Sequence, residues 1–219
     1  MHPAVGVEES LMALVITVAQ QKGGAGKTML AANLAAAWAG SAKIAIFDID
    51  PQKSLTRWHF LRSQKPGLAK ITLSDASGWR LAGELERLAR DATIVIIDTP
   101  PQIESDALRA VRAANLVLLP VQPSPPDLWA AEGTLALAAA EKKKVGLVLN
   151  RAVARSRLRT QIENEINGRR LNLLTATLGN RAAFANAFAQ GMGIIESAPK
   201  NIGAAEFAAL ADEIKELLK

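Results

Sequence analysis

The chain has 219 residues, 49% of them hydrophobic and 21% charged, which suits one domain with a sizeable core and is short for two. It contains no Cys, which excludes disulfides, thiolate metal sites and Cys-ligated iron–sulfur clusters, and only His2 and His59 could offer imidazole to a metal. The formal net charge of +5 weakly favours a polyanionic partner. There is no apolar run long enough for a transmembrane helix, and Met1–Ser10 carries Glu8 and Glu9 with no basic stretch, unlike a secretory signal; a cytoplasmic location is expected.

From the N-terminus, residues 1–12 read as an extension ahead of a domain spanning 13–219, with Met12 an alternative start. Continuous apolar runs at Leu14–Ala19, Lys43–Phe47, Thr93–Ile97, Asn115–Pro120 and Val145–Leu149 predict strands buried on both faces, with Ile71–Leu73 and Leu173–Leu178 as weaker strand candidates. Between and after them lie helix candidates at Lys27–Ala39, Gln52–Ser63, Trp79–Arg90, Ser105–Ala113, Leu128–Lys142, Leu158–Asn167, Arg181–Gln190 and Ala204–Leu218. Such alternation predicts an α/β domain with a mostly parallel central sheet flanked by helices.

The first strand–helix junction reads Gln20-Gln21-Lys22-Gly23-Gly24-Ala25-Gly26-Lys27-Thr28. Glycines let the backbone curl so that successive N–H groups face phosphate oxygens, and the helix that follows adds its positive end. Lys27 is placed to reach the β- and γ-phosphates and the Thr28 hydroxyl to ligate Mg²⁺. This is a P-loop for ATP with Mg²⁺, although Gln21 stands where the general pattern has its first glycine and an additional Lys22 precedes the glycine pair. Two further strands end in carboxylates, Asp48-Ile49-Asp50-Pro51-Gln52 and Asp98-Thr99-Pro100-Pro101. Acidic groups at the carboxyl ends of parallel strands surround the crevice where ligands bind. One can hold the Mg²⁺ shell and another can orient a water for in-line attack.

Together these three segments resemble the deviant Walker A, switch I and Walker B motifs of the ParA/MinD family of ATPases. Pro120-Val-Gln-Pro-Ser-Pro-Pro-Asp127-Leu resembles its short plasmid-partition branch, typified by ParF, and the likeness runs from about Leu14 to Leu218. The resemblance implies a P-loop NTPase fold and nucleotide contacts from Lys22, Gly23, Gly24, Ala25, Gly26, Lys27, Thr28 and Met29. It implies that Lys22 crosses to the phosphates of a second subunit in an ATP-dependent homodimer, and that Lys22 and Lys27 serve catalysis with Asp50, which activates the water. It implies that Asp48 supports the Mg²⁺ site, that Asp98 holds an Mg²⁺-bound water beside Thr28, and that Asn150 reads adenine. Met29 departs from the hydroxyl residue usual there, which implies slightly weaker binding. The segment ahead of the P-loop strand is too short for the N-terminal DNA-binding domain of long ParA proteins.

Several partners can be weighed from the residues. A membrane-associated member of the family needs a basic amphipathic C-terminal helix, but Ala204–Lys219 carries Glu206, Asp212, Glu213 and Glu216 against Lys215 and Lys219, a net of −2. It is expected to pack in the core, with no membrane partner. An ATP-dependent biosynthetic ligase of the same fold would need a substrate subsite, of which the sequence gives no sign. From Lys142 to Arg170 there are nine basic residues against two acidic ones, which leaves the rest of the chain at about −2. Concentrated Lys and Arg are the footprint of sequence-independent phosphate binding. Arg155, Arg157, Arg159, Arg169 and Arg170 are therefore the candidate residues for non-specific nucleoid DNA, while Arg151, beside Asn150, could serve the nucleotide instead. Trp58, Trp79 and Trp129 read as core or interface residues. The resemblance then implies a switch that partitions plasmid or chromosome with a ParB-like or centromere-binding adaptor, or positions a protein assembly such as a chemoreceptor cluster or microcompartment.

Overall fold

A computed structural model describes residues 13–76, 78–102 and 105–219. Six parallel strands, β1 (Leu14–Val18), β2 (Ile44–Asp48), β3 (Ile71–Ser74), β4 (Ile94–Asp98), β5 (Leu116–Val121) and β6 (Lys144–Leu149), form one sheet in the order β3-β2-β4-β1-β5-β6. The helices are α1 (Lys27–Trp38), α2 (Ser54–Ser63), α3 (Leu81–Ala89), α4 (Ser105–Ala113), α5 (Pro125–Ala140), α6 (Arg157–Gly168), α7 (Ala182–Phe188), the single turn α8 (Ile194–Ser197) and α9 (Ile202–Leu217).

Residues alternate between two cores, as the pleat requires. On one face Ile16, Ile46, Ile96, Leu118 and Val148 pack under α1, α2 and α7–α9; on the other Val15, Phe47, Val95 and Ile97 meet α3 and α4. Leu119 and Leu149 meet α5 and α6 on that second face. Both faces are covered, which is why the strands read as continuous apolar runs. The alanine-rich α1 lies flat on the central strands, and few of its residues reach solvent. As expected from its charge, α9 turns Phe207, Leu210 and Ile214 into the core.

Two expectations are corrected. Leu173–Leu178 is not a strand; it runs beside β6 with only an isolated bridge, Leu147 to Leu173. The carboxylate of Glu213 on α9 takes the amides of Thr175 and Ala176 at 2.7 and 2.9 Å, which bends that backbone off the sheet edge. The helix predicted from Leu128 begins at Pro125, because the Ser124 side chain accepts from the Asp127 amide and prolines fit the first turn. Of the tryptophans read as core or interface residues, Trp58 belongs to the core, and Trp79 and Trp129 stand at the surface, 65% and 62% exposed.

Candidate nucleotide site

β1 sits between β4 and β5, so the loop leaving its carboxyl end opens at the point where strand order reverses, the crevice such sheets use for ligands. Gly24 and Gly26 hold positive φ of 78° and 101°, a curl that side chains disfavour. A Cβ on Gly26 would also fall 2.2 Å from the Asn150 amide nitrogen. That nitrogen donates to the Ala25 carbonyl at 2.7 Å, and the Asn150 side-chain oxygen accepts from the Arg151 amide at 3.0 Å. Asn150, expected to read adenine, braces the P-loop from just beyond β6 through one amide N–H and its oxygen, and it stands in the lining of the cleft beside the loop.

A cleft of about 770 Å³ opens beside the loop, lined by Gly23, Gly24, Lys27, Thr28, Met29, Asp50 and, on the far wall, Arg151, Arg181 and Phe184. Lys27 is buried, and its ammonium lies 3.4 Å from the Lys22 carbonyl. Burial lowers its pKa, opposed by the carboxylates of Asp98 and Asp50. Asp98 is wholly buried, and neither carboxylate oxygen has a hydrogen-bond partner among the described residues. Burial raises its pKa to about 8, with Asp48 and Asp50 adding to the rise and Thr28 and Lys27 opposing it. A carboxylate kept dry and unpartnered beside a P-loop threonine suits a hard cation that brings its own waters and phosphate oxygens. The site therefore fits Mg²⁺ with Asp98 and Thr28, and the ion would neutralise phosphate charge there.

Asp48 is used differently. Its Oδ1 accepts from the Asp50 amide at 3.1 Å, and its Oδ2 accepts from the amide and hydroxyl of Thr56, both at 2.8 Å. Burial raises its pKa, and the Thr56 bonds oppose that rise. Its carboxylate thereby holds the segment joining β2 to α2. Asp50, in that segment, is 8% exposed and accepts from the Gln52 amide through Oδ1 at 2.9 Å. It is the expected water-orienting residue, and it lines the cleft.

Lys22 turns away from the phosphate loop. Its ammonium donates to Asp127 Oδ2 at 2.5 Å, and the Gln122 side chain donates to the Gly24 carbonyl at 3.1 Å. Gln122 ahead of α5 and Asp127 in its first turn thus each grip the P-loop, contacts that the stretch was not read for in the sequence. Thr56 and the Arg181–Glu206 pair on the far wall also escaped the sequence reading, since nothing in their local spacing marks them.

The basic residues expected at DNA are spread along α6. Arg155 and Arg157 lie exposed at the start of α6, and Arg169 and Arg170 at its end, about 18 Å away along a helix of this length. Arg159 pairs with Glu163 at 2.7 Å, and Arg169 with Glu132 at 3.0 Å. Among the described residues Arg155, Arg157 and Arg170 have no ion-pair partner.

A profile of the CobQ/CobB/MinD/ParA nucleotide binding domain matches residues 16–194. The chain belongs to this family. Among curated relatives, the "Maintenance of carboxysome distribution protein A" of Halothiobacillus neapolitanus is 27% identical over 94% of this chain and 95% of its own length. The protein of that name from Gloeobacter kilaueensis is 38% identical over 52% of this chain and 51% of its own. The chromosome-partitioning ATPase Soj of Thermus thermophilus is 28% identical over 91% of this chain and 94% of its own length. Among solved structures, an ATP complex of an aspartate-to-alanine variant of McdA from Cyanothece superposes with a TM-score of 0.79 at 18% identity, covering 94% of this chain and 96% of that one. The Pyrococcus furiosus cell division ATPase MinD gives 0.77 at 23%, covering 94% and 100%. As a member of this family the chain is a nucleotide-binding ATPase, and no described helix is long and apolar enough to cross a membrane.

Proposed function

We propose that this ATPase is a dimerising switch that positions a cargo along DNA. ATP joins two subunits, the dimer holds nucleoid DNA without sequence preference, and an adaptor on the cargo stimulates hydrolysis and releases it. Within the site, Lys27 and the P-loop amides from Lys22 to Met29 bind the phosphates. Thr28 and Asp98 hold Mg²⁺, Asp50 orients the attacking water, and Lys22 crosses to the other subunit. A domain over residues 13–219 carries all of this, and residues 1–12 are an extension outside the described residues.

The observation that carries the reading is Lys22. A lysine ahead of the glycines serves no phosphate within its own subunit here, because it points to Asp127, so its remaining task is between subunits. The cargo we favour is a large protein assembly, because two relatives are named for carboxysome distribution. Plasmid or chromosome segregation is the second reading, supported by the Soj relative. The test is light scattering with ATP and with ADP, followed by anisotropy on random-sequence DNA in both states. An ATP-dependent dimer that alone binds DNA is expected; a monomer in ATP overturns the reading. Deletion in the source cell, scoring loss of plasmid or chromosome against misplacement of a protein assembly, separates the two cargoes.

A further inference from the structure

We propose that Lys53 is a positioning residue for Asp50, tying the segment that carries the aspartate to the neighbouring strand. The inference rests on reading Asp50 as the residue that orients the attacking water.

Lys53 has a φ of 52°, in the left-handed region where glycine or asparagine is at ease and a lysine is strained. The side chain gives a reason for its presence. Its ammonium donates to the carbonyl of Asp48 at 2.8 Å and to that of Asp75 at 2.8 Å. Phe47 and Ser74 are the last pair of the ladder between β2 and β3, so these two carbonyls belong to the residues just beyond that ladder. The lysine continues the pairing of the two strands with one cation, by charge-assisted bonds stronger than the neutral ladder bonds they extend.

The same residue acts through its backbone. The Lys53 amide donates to the Asp50 carbonyl at 3.0 Å, and the Lys53 carbonyl accepts from the Arg57 amide at 3.0 Å. Asp48 clasps the two ends of the segment through the Asp50 and Thr56 amides. Asp50 therefore stands in a short loop closed by Asp48 and Thr56 and anchored to β3 by Lys53. A reacting water needs its base held to a fraction of an ångström, and the Lys53 anchor is a link from this loop to the sheet edge that a single substitution removes without touching a carboxylate.

The test uses Lys53→Gly, which relieves the backbone strain and deletes the ammonium together, with Lys53→Asn as a second variant that also tolerates this φ and Lys53→Arg as the conservative one. Single-turnover hydrolysis of Mg-ATP should slow about tenfold in the Gly and Asn variants. Affinity for the non-hydrolysable analogue AMPPNP should stay within about twofold, Tm should not fall, and Lys53→Arg should recover most of the rate. Wild-type hydrolysis by the Gly or Asn variant, or AMPPNP affinity falling in step with the rate, overturns the proposal. Asp50→Ala is measured beside them. If it hydrolyses normally, the reading of Asp50 itself fails; if it is inert while Lys53→Gly is normal, only the role of Lys53 fails.

Discussion

The ammonium of Lys22 and the carboxylate of Asp127 meet at 2.5 Å, the lysine 39% exposed and the aspartate 2%. Ser124 donates to the same oxygen at 2.5 Å, while Asp127 Oδ1 has no partner among the described residues. A lysine that is to reach a second subunit must first leave this pair and strand a buried charge. Asp127→Asn removes that competition, so it should lower the protein concentration at which ATP produces a dimer, as read by light scattering. Lys22→Ala should lose the ATP dimer and lower stability without nucleotide by about 1–2 kcal/mol, from an acceptor left underpaired. An unchanged dimerisation midpoint in Asp127→Asn would show that the pair does not restrain Lys22.

Asp98 sets function against stability. Both of its oxygens are buried without partners among the described residues, a cost the fold bears for a cation it would bind. Asp98→Asn keeps the shape and removes the group that can ionise for a cation. The nucleotide-free protein should then melt a few degrees higher, by about 1 kcal/mol, while Mg²⁺ should cease to strengthen ATP binding. Melting with and without Mg-ATP checks both halves. A variant that melts lower and still responds to Mg²⁺ would remove Asp98 from the metal site.

Glu206 secures the far wall of the cleft. It accepts from Arg181 at 2.9 and 2.5 Å and from the Gly179 amide at 3.1 Å, and both of those residues line the cleft. The Arg181 hydrogen bond holds the Glu206 pKa below its usual 4.5, with burial opposing and the Gly179 amide assisting. A depressed carboxylate stabilises the fold above its unfolded pKa and loses that contribution as pH falls through the lower folded value. Glu206→Gln should therefore be less stable than wild type at pH 7, by less than about 1 kcal/mol for so exposed a pair. The gap should close as the pH falls from the unfolded value through the lower folded one, where wild type is protonated too. Urea titrations at several pH values measure this, and a gap that widens in acid contradicts the pairing.

The placement of the residues around the P-loop was legible because P-loop residues and strand-end carboxylates lie close in sequence to the backbone features that place them. Gly26, Lys27, Asp50 and Asp98 could be assigned from a strand, a turn and a helix in order. What escaped were contacts between distant segments. Asp127 meets Lys22 over 105 positions, and Asn150 meets Ala25 over 125, so no local pattern showed that one would divert the lysine or the other brace the loop. Leu173–Leu178 failed as a strand for the same reason: its apolar run was real, but Glu213 took its amides from 37 and 38 positions away. Charge counting likewise found the basic segment and could not foresee that α6 would spread it along its length or that glutamates would occupy two of its arginines.

That spread divides the candidate DNA contacts. If nucleoid DNA binds, the arginines without partners should contribute more than those already paired, since a guanidinium held by a carboxylate must exchange one anion for another. Arg155 and Arg157 are exposed on the segment that follows Arg151 of the cleft wall, whereas Arg159 and Arg169 are engaged with Glu163 and Glu132. Replacing Arg155 and Arg157 together by Ala should weaken ATP-dependent DNA binding by about tenfold at moderate salt. It should also shallow the slope of log affinity against log salt by roughly two per subunit, one for each phosphate no longer neutralised. Replacing Arg159 and Arg169 should cost binding less and melting temperature more. Arg170, unpaired among the described residues at the other end of α6, distinguishes the two ends: its replacement by Ala leaves binding unchanged if DNA lies on the cleft side and weakens it if DNA lies across the opposite edge. Anisotropy titrations at two salt concentrations, with ATP and with ADP, measure all of these. Equal effects from the paired and unpaired sets would mean that net charge, and not this face, governs DNA binding.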